Sequence, residues 1–262
     1  MIGNRDRYAL VTGASSGIGY ELAKLLAKDG KNLVVIARSQ DKLEELKTEI
    51  ENKYGTIVNV LPKDLSNTDA PQEIFSKLDT EGINVDVLIN NAGFAVYGKF
   101  AETDWEKESD MIQVNITSLT HLTKLFLKRM LENGSGRIMN VASAIAFLPG
   151  PLFSIYAASK AYVLHFSEAL ANEVNGTGVS VVCFCPAATR SLFWERADAG
   201  HCRAGKSRLM DSAKAARIGY TALKKGKVTS IAGLAQKMAI FSTRFAPRSV
   251  LARMVRWQFE RA

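Results

Sequence analysis

The residues whose types and spacing point most directly to chemistry are Tyr156 and Lys160. They lie four positions apart in a stretch of helical periodicity, so their side chains share one helix face. A phenol ordinarily titrates at roughly pH 10, too high for proton transfer at neutral pH. A neighbouring ammonium would stabilise the phenolate and lower its pKa, which would let the pair donate and accept protons. Taken alone, such a pair is more often ordinary helix surface.

A glycine-rich segment near the start of the chain is the second candidate. Residues 12–19 read Thr-Gly-Ala-Ser-Ser-Gly-Ile-Gly, between a predicted strand and a predicted helix. The spacing is G-x-x-x-G-x-G rather than G-x-G-x-x-G, but it still permits a tight turn and a helix N-terminus that faces a pyrophosphate. Glycines at a helix start can also serve packing alone. The residues predicted to bind a dinucleotide here are Gly13, Ser15, Ser16, Gly17, Ile18 and Gly19.

The end of the second predicted strand indicates which dinucleotide to expect. An acid there would accept the 2′-hydroxyl of NAD, whereas an arginine accommodates the 2′-phosphate of NADP. This strand ends Ala37-Arg38-Ser39, with no acid. Arg38 can hold a phosphate through two hydrogen bonds, and Ser39 can donate another. The sequence favours NADP(H) over NAD(H), although a solvated arginine at a strand end would give the same pattern.

The elements that must position these residues follow an α/β pattern. Short apolar runs alternate with longer amphipathic stretches, which predicts a Rossmann-type, doubly wound parallel seven-stranded sheet with helices on both faces. The predicted strands are Tyr8–Thr12, Leu33–Ala37, Ile57–Leu61, Val85–Asn90, Arg137–Val141, Val179–Phe184 and Val228–Ile231. The predicted helices are Ile18–Asp29, Lys42–Lys53, Pro71–Leu78, Asp104–Leu131, Ser154–Glu173 and Ala213–Lys224.

The domain organisation follows from the same pattern. Residues 1–233 are expected to form one dinucleotide-binding catalytic domain, and residues 234–262 a helical tail. Residues 187–212 follow the sixth strand as a long, charged connection. Ligands of open α/β sheets bind outside the carboxyl ends of the strands, so this connection is predicted to be a lid. A surface insertion without function is the alternative.

The charge is distributed unevenly along the chain. With 47% apolar and 23% charged residues, the composition excludes collagen-like, largely disordered and polytopic membrane proteins. Residues 1–200 hold 20 basic and 24 acidic side chains, but residues 201–262 hold 14 basic and two acidic ones. Such asymmetry is typical of contact with nucleic acid, an anionic membrane or a phosphorylated ligand. No nucleic-acid-binding motif accompanies the charge, so no nucleic-acid partner is expected.

Compartment and redox state are suggested by what the sequence lacks. Residues 1–7 are polar, no signal-type apolar region follows, and no apolar run reaches the ~18 residues of a membrane span. A cytoplasmic location is therefore expected, with peripheral membrane contact through the tail as an addition. Three cysteines cannot form a disulfide framework. Cys183 and Cys185 are predicted to be packed thiols, and no metal site is expected.

Taken in order, these and further motifs resemble the short-chain dehydrogenase/reductase family, in its single-domain branch of about 250 residues. The resemblance covers about residues 5–232. The motifs that carry it are Thr12–Gly19, Asp64, Asn90-Asn91-Ala92-Gly93, Asn115, Ser143, Tyr156 with Lys160, and Pro186 with Thr189.

The resemblance implies a four-residue active site. Tyr156 would act as the general acid in reduction or the base in oxidation, and Lys160 would lower its pKa and bind the nicotinamide ribose. Ser143 would hold the substrate oxygen, and Asn115 a water of the proton relay; a strand cap and a helix kink are their structural alternatives. The remaining implied cofactor contacts are Asp64 and Leu65 at the adenine, Asn91, Ala92 and Gly93 closing the site, and Pro186 and Thr189 beside the nicotinamide.

One position departs from the family pattern. The family commonly has Pro-Gly after the sixth strand, whereas this chain has Pro186-Ala187-Ala188-Thr189. If the second position required a positive φ, Ala187 would be strained.

The residues that flank the motifs indicate the substrate class. Those expected to line a pocket are Phe94, Val96, Ile145, Phe147, Leu148, Phe153, Leu192, Phe193 and Trp194. They favour an apolar ketone, an aldehyde or a 3-oxoacyl thioester, with a hydroxysteroid-type alcohol as the alternative. Arg190 and Arg196 would meet the phosphates of a thioester or of the cofactor. A non-catalytic cofactor-binding sensor or scaffold is the alternative from another class.

The basic tail carries two amphipathic stretches. Leu234, Met238, Phe241 and Phe245 form one apolar helical stripe, and Val250, Leu251, Met254 and Val255 form another. Docking on the body, contact with anionic lipid and an oligomer contact all remain open. By resemblance, the helices Asp104–Leu131 and Ser154–Glu173 would pair subunits in a homodimer or homotetramer.

Overall fold

The computed structural model describes residues 7–207 and 209–261. Residues 1–6 of the predicted polar N-terminus therefore lie outside the described residues. Arg208 of the predicted lid and the final Ala262 lie outside them as well.

Seven parallel strands form one sheet in the order β3-β2-β1-β4-β5-β6-β7, which confirms the predicted doubly wound fold. The chain builds outward from β1 to β3, returns to β4 beside β1, and then builds the other way. Ligand sites in such sheets form at this reversal, outside the carboxyl ends of β1 and β4. The strands are β1 Arg7–Thr12, β2 Asn32–Ala37, β3 Val58–Pro62, β4 Asn84–Asn90, β5 Gly136–Val141, β6 Val179–Cys185 and β7 Thr229–Ile231.

Helices cover both faces of the sheet. They are α1 Gly17–Lys28, α2 Gln40–Tyr54, α3 Ala70–Thr80, α4 Trp105–Ile112, α5 Leu119–Glu132, α6 Ser154–Glu173, α7 Phe193–Arg196, α8 Arg203–Lys206, α9 Ser212–Lys224, α10 Leu234–Ser242 and α11 Arg248–Phe259. The helix predicted over Asp104–Leu131 is not a single α-helix, because a π-helical stretch, Gln113–Ser118, separates α4 from α5. Hydrophobic periodicity cannot reveal one extra residue in a turn, so this interruption was not predicted.

The core consists of two layers, one on each face of the sheet. Val11 of β1 packs with Leu22 of α1 and Leu223 of α9 on one face. Leu10, its neighbour in the same strand, packs with Ile74 of α3 and Leu122 of α5 on the other. Successive strand residues point to opposite faces, so a strand covered on both sides needs apolar residues at nearly every position. This requirement explains the continuous apolar runs of the sequence.

The two helices of the tail differ in how much of each predicted apolar stripe is buried. The stripe formed by Leu234, Met238, Phe241 and Phe245 faces solvent, and Ile240 is the buried side chain of α10. In α11, Leu251 and Val255 are buried, whereas Met254 is exposed. The periodicity therefore found amphipathic helices but not the side of each that packs on the body.

Candidate active site

The glycine-rich turn joins β1 to α1 and lies directly against the segment that follows β4. Gly13 has φ +66° and Gly17 has φ +61°, a region that suits glycine. A Cβ atom at Gly13 would lie only 2.9 Å from the Ala92 Cα atom. A Cβ at Gly19 would collide with the side chain of Asn91 and the carbonyl of Gly13. These glycines therefore serve both the turn and its close contact with the β4 end.

Thr12 and Asn91 hold these two segments together. The Thr12 hydroxyl accepts hydrogen bonds from the backbone N–H groups of Asn91 and Ala92, both at 3.0 Å, and donates to the Ile89 carbonyl at 3.3 Å. The Asn91 amide donates to the carbonyls of Thr12 at 3.0 Å and Gly13 at 3.2 Å. The side chain of Asn91, predicted as a cofactor contact, is thus already engaged in positioning the turn.

The N-terminus of α1 opens toward the cleft. Ser16 precedes the helix, and among the described residues no side chain caps it and no acid lies in its first turn. The first N–H groups of a helix have no partner within it and carry a partial positive charge. The chain therefore presents an uncapped anion site where a pyrophosphate is expected.

At the far end of the cleft, Arg38 and Asp64 face each other. The Arg38 guanidinium lies 3.8 Å from the Asp64 carboxylate and is 70% exposed. Asp64 also accepts hydrogen bonds from the backbone N–H of Ser66 at 3.0 Å and its hydroxyl at 2.9 Å. Lys63, which the sequence did not single out, contributes to the same wall. This end therefore holds two basic side chains, Arg38 near Asp64 and Lys63 in an ion pair with Glu73 at 2.6 Å.

Tyr156 and Lys160 project from α6 toward the carboxyl end of β5. Lys160 is buried, with 4% of its surface exposed. Its ammonium donates to the Val141 carbonyl at 2.9 Å and lies 5.9 Å from the centre of the Tyr156 ring. Burial lowers the pKa of Lys160 to about 8. Burial also raises the pKa of Tyr156 to about 12, and an interaction with Ser143 opposes that rise.

The expectation that Lys160 lowers the pKa of Tyr156 is therefore corrected for the chain without cofactor. Burial of the phenol disfavours its anion and raises its pKa, and Ser143 is the side chain that opposes this rise. The Lys160 ammonium, 5.9 Å from the centre of the ring, does not bring that pKa below its ordinary value. At neutral pH both groups consequently carry their protons.

Ser143 combines the two roles that the sequence left open. Its hydroxyl accepts from the backbone N–H of Ile145 at 3.4 Å, which caps the short 3₁₀ helix Ala144–Phe147. The same side chain interacts with the Tyr156 phenol closely enough to oppose the rise in its pKa. Both hydroxyl-bearing side chains line the same cleft, where a substrate oxygen would meet them.

Asn115 lies in the π-helical stretch and is completely buried. Its amide donates to the Phe94 carbonyl at 3.0 Å and to the Ser159 hydroxyl at 3.1 Å, and its oxygen accepts from the Phe94 N–H at 3.2 Å. A Cβ at Gly93 would lie 2.8 Å from that oxygen and 3.3 Å from the Lys160 ammonium. Gly93 therefore allows Asn115 and Lys160 to approach the same backbone segment.

The segment after β6 carries Ala187 without strain. Among the described residues, Leu152 and Asp198 are the non-glycine residues with positive φ, and Ala187 is not one of them. The Pro186 carbonyl accepts from the Ala144 N–H at 3.0 Å. The Thr189 hydroxyl donates to the Ala187 carbonyl at 2.7 Å. The departure from Pro-Gly thus leaves the backbone beside the predicted nicotinamide position in an ordinary conformation.

These segments enclose a cavity of about 620 Å³. Predicted site residues that line it are Gly13, Ser15, Ser16, Gly17, Ile18, Arg38, Ser39, Asp64, Leu65, Asn91, Ala92, Gly93, Ser143, Tyr156, Lys160, Pro186 and Thr189. Gly19 and Asn115 are not in its wall. Of the predicted apolar lining, Phe94, Ile145, Leu148, Phe153, Phe193 and Trp194 are present, but Val96, Phe147 and Leu192 are not. Arg196 lines this cavity, whereas Arg190 lines a separate shallow cleft.

The C-terminal helix supplies a wall that sequence reasoning missed. Phe259 packs edge-on against Phe153 with ring centres 4.8 Å apart, and its carbonyl accepts from the Tyr97 hydroxyl at 2.6 Å. Val255 and Gln258 line the cavity beside it, as does Gln236 of α10. The sequence pattern that could have revealed this wall is the i, i+4 spacing of Leu251, Val255 and Phe259. These residues form a second apolar stripe that overlaps the predicted one.

Arg203, in the segment predicted to be a lid, contacts the end of this wall. Its guanidinium donates to the Trp257 carbonyl at 2.7 Å and lies 3.8 Å from the Glu260 carboxylate. Its backbone N–H donates to the Glu260 carbonyl at 3.2 Å. The predicted lid and the C-terminal helix are therefore joined by direct contacts through Arg203.

The described residues contain neither a metal site nor a membrane-spanning helix. Residues 7–207 and 209–261 contain no group of three or more His, Cys, Asp or Glu side chains arranged to hold a metal ion. Within those same residues, no helix has the length and hydrophobicity needed to cross a membrane. Cys183 and Cys185 are both buried, with sulfur atoms 3.8 Å apart.

Two curated proteins are similar to this chain in sequence. A very-long-chain 3-oxoacyl-CoA reductase of Pyrenophora tritici-repentis is 39% identical over 186 residues, which are 69% of this chain and 54% of that protein. The 17-beta-hydroxysteroid dehydrogenase type 3 of Homo sapiens is 38% identical over 183 residues, 69% of this chain and 58% of that protein. The matches thus span little more than half the length of these relatives.

A solved short-chain dehydrogenase from Sphingobium yanoikuyae in complex with NADPH superposes with a TM-score of 0.82 at 31% identity, covering 91% of this chain and 94% of that one. A 7beta-hydroxysteroid dehydrogenase superposes with a TM-score of 0.86 at 25% identity, covering 95% and 96%. The short chain dehydrogenase family model matches residues 7–200. The expected resemblance is confirmed, and the chain belongs to the short-chain dehydrogenase family.

Proposed function

We propose that the chain is an NADPH-dependent oxidoreductase that reduces the carbonyl group of an apolar substrate. The observation that carries this proposal is one continuous cavity with Ser143, Tyr156 and Lys160 in one part of its wall and the glycine-rich turn and Arg38 in another. A proton donor and a dinucleotide cradle thus share a single space, as hydride transfer to a carbonyl demands.

The cradle fits a nicotinamide dinucleotide. Gly13 in the turn and Gly93 after β4 have no side chains where the two segments meet their neighbours, and the uncapped N-terminus of α1 suits a pyrophosphate. When bound, NADP(H) supplies the hydride in reduction and accepts it in oxidation. Lys160 would hold the nicotinamide ribose, and Thr189 would contact the carboxamide.

The chain's own residues supply the proton for the reduction. With its pKa near 12, Tyr156 holds its proton at neutral pH and gives it to the substrate oxygen, which Ser143 keeps within hydrogen-bond reach. The phenolate left behind is stabilised by Ser143 and by the Lys160 ammonium, whose pKa of about 8 keeps it largely charged. A proton from solvent then restores the phenol. The carbonyl has gained one hydride and one proton and has become an alcohol.

The preference for NADP over NAD is part of the proposal. Arg38 ends β2 with its guanidinium exposed, and the nearby Asp64 carboxylate is occupied by Ser66 and Arg38. A 2′-phosphate would gain a charge-assisted contact there, and the 2′-hydroxyl of NAD would find no acid at the strand end. The NADPH complex of the Sphingobium relative supports this assignment.

The proposed substrate is an apolar ketone, an aldehyde or a 3-oxoacyl thioester. Aromatic side chains line the reactive end of the cavity, namely Phe94, Phe153, Phe193, Trp194 and Phe259. The relatives include a 3-oxoacyl-CoA reductase and a 17-beta-hydroxysteroid dehydrogenase, so a hydroxysteroid-type alcohol is the second candidate. Both candidates present an apolar body and one oxygen to Tyr156.

The experiment that tests the function is a panel of carbonyl compounds assayed with NADPH and with NADH. The panel includes long 3-oxoacyl thioesters, steroid ketones and small polar ketones. The rate of NADPH oxidation should differ between these classes and be highest with an apolar substrate. A chain that binds NADPH but reduces no member of the panel would favour the alternative of a cofactor-binding sensor. Location in the cytoplasm and assembly into a homodimer or homotetramer through α4, α5 and α6 stay predictions.

A further inference from the structure

Helix α10 presents an apolar face that no other described residue covers. Its side chains are large and mostly exposed: Leu234 at 75%, Met238 at 66%, Phe241 at 58% and, in the 3₁₀ turn that follows, Phe245 at 78%. The 4-3-4 spacing aligns them along one side of the helix. Scattered exposed apolar residues are normal, but four in one stripe indicate a contact surface.

The charge around this stripe is of one sign. Residues 232–259 carry five basic side chains and no acidic one. Lys237, Arg244 and Arg248 flank the apolar side chains, and the Arg244 guanidinium lies 5.7 Å from the centre of the Phe241 ring. The apolar stripe and its basic border therefore form one amphipathic surface.

We propose that this surface docks on an anionic lipid bilayer, with α10 lying in the plane of the interface. The "α10 surface" comprises the apolar stripe of Leu234, Met238, Phe241 and Phe245 together with Lys237, Arg244 and Arg248. Its aromatic and aliphatic side chains enter the boundary between headgroups and acyl chains, and its basic groups meet the lipid phosphates.

The charge favours lipid over a second copy of the chain. Two α10 surfaces placed face to face would bring the three basic groups of each copy together without an acid in either surface, which is repulsive. An anionic membrane provides both an apolar interior and negative charge. It therefore satisfies the two halves of the surface at once.

The position of the α10 surface has a consequence for catalysis that rests on the proposed function. Gln236, on another side of the same helix, lines the cavity. An α-helix with its side chains is about 10 Å across, so lipid at the α10 surface would lie roughly one helix diameter from the cavity wall. An apolar substrate dissolved in the bilayer would thus be presented close to the site.

Co-sedimentation with vesicles tests the proposal. The full chain is mixed with phosphatidylcholine vesicles that contain or lack phosphatidylglycerol, at low and high salt. The expected result is binding to the anionic vesicles that weakens as salt rises. M238D/F241D and R244E/R248E should each lower that binding at least tenfold. The matched control is Phe100→Asp, since Phe100 is 61% exposed on the acidic body and should tolerate the same change without effect.

Several outcomes would overturn the proposal. These are no binding of the natural chain to anionic vesicles, unchanged binding by M238D/F241D, or an equal loss from Phe100→Asp. Light scattering provides a further check, because a concentration-dependent dimer that M238D/F241D dissolves, without vesicle binding, would assign the surface to self-association. Circular dichroism and NADPH binding verify that each variant is folded.

Activity measurements separate this inference from the proposed function. If the chain reduces carbonyl compounds, M238D/F241D should raise KM for a substrate supplied in vesicles and leave kcat/KM for a water-soluble ketone unchanged. Equal effects on both substrates would contradict delivery from lipid. If no carbonyl is reduced, the vesicle-binding result still decides whether the α10 surface docks on lipid.

Discussion

The Lys160 ammonium lies 5.9 Å from the centre of the Tyr156 ring and donates to the Val141 carbonyl at 2.9 Å. Burial moves the two titrations in opposite directions, since the pKa of Lys160 falls to about 8 and the pKa of Tyr156 rises to about 12. At neutral pH the pair therefore holds both protons, which is the state that reduction of a carbonyl needs.

Reduction should slow as the pH rises through about 8. Lys160 keeps its proton below that pKa and loses it above, and the neutral amine no longer stabilises the Tyr156 phenolate. We expect kcat/KM with NADPH to be level below about pH 7.5 and to fall up to about tenfold per pH unit in the alkaline limb. NADPH binding measured at each pH is the control. A reduction rate that increases through pH 8 would contradict the assignment.

Lys160→Met should stabilise the chain while removing its activity. The folded-state pKa of Lys160 is depressed from 10.5 to about 8, so below about pH 8 burial of the ammonium costs about 3 kcal/mol. The unfolded chain binds the extra proton between those values, so the natural chain gains stability as pH rises from about 8 toward 10. Above that range the raised pKa of Tyr156 acts in the opposite sense, because the folded state then holds a proton that the unfolded state has lost.

The measurement is urea unfolding of both chains without cofactor. The free energy of unfolding of the natural chain, relative to that of Lys160→Met, should rise by about 2 kcal/mol between about pH 7 and pH 9.5. Groups common to both chains cancel in this difference. If this difference in the free energy of unfolding is independent of pH, the pKa of Lys160 is not depressed in the folded chain.

Arg38→Glu should weaken the binding of NADPH much more than the binding of NADH. The substitution removes a charge-assisted contact and places a carboxylate beside the 2′-phosphate, which should raise KM for NADPH about 10- to 100-fold. The 2′-hydroxyl of NADH can donate a hydrogen bond to the new carboxylate, so KM for NADH should stay level or fall. Arg129→Glu is the matched control, since Arg129 is likewise exposed and paired with an aspartate, but away from the cavity. Equal losses for both cofactors would refute the phosphate role.

Phe259→Ala should change which substrates are preferred. The Phe259 ring packs on Phe153 and lines the cavity, so its removal leaves room beside the reactive end. We expect the ratio of kcat/KM for a bulky ketone to that for a small one to rise roughly tenfold. Met254→Ala on the exposed side of α11 is the control and should leave the ratio unchanged. An unaltered ratio in Phe259→Ala would remove α11 from the substrate wall.

The sheet and the glycine-rich turn could be predicted because their signals are local. Apolar residues at nearly every position of Leu33–Ile36 require a strand covered on both faces, and Gly13 and Gly17 have the positive φ that a tight turn needs. The turn's position after the first strand followed from sequence order alone. The structure brings most of the predicted residues to one cavity.

What could not be predicted depends on contacts between distant parts of the chain. The pKa direction of Tyr156 is set by burial, which no spacing between Tyr156 and Lys160 encodes. Phe259 meets Phe153 across more than a hundred residues, so its place in the cavity wall has no local signature. The stripe of α10 was visible, but periodicity does not say whether an apolar face meets the body or solvent.

The most direct test of the central claim is the single-turnover reduction of an apolar ketone by NADPH in the Tyr156→Phe variant. Without the phenolic proton, the rate should fall by about 10²- to 10⁴-fold, while the Kd for NADPH changes by no more than about threefold. Tyr162→Phe, which removes a hydroxyl from the same helix outside the cavity, should keep the natural rate. A Tyr156→Phe variant that reduces the ketone at the rate of the natural chain would contradict Tyr156 as the proton donor.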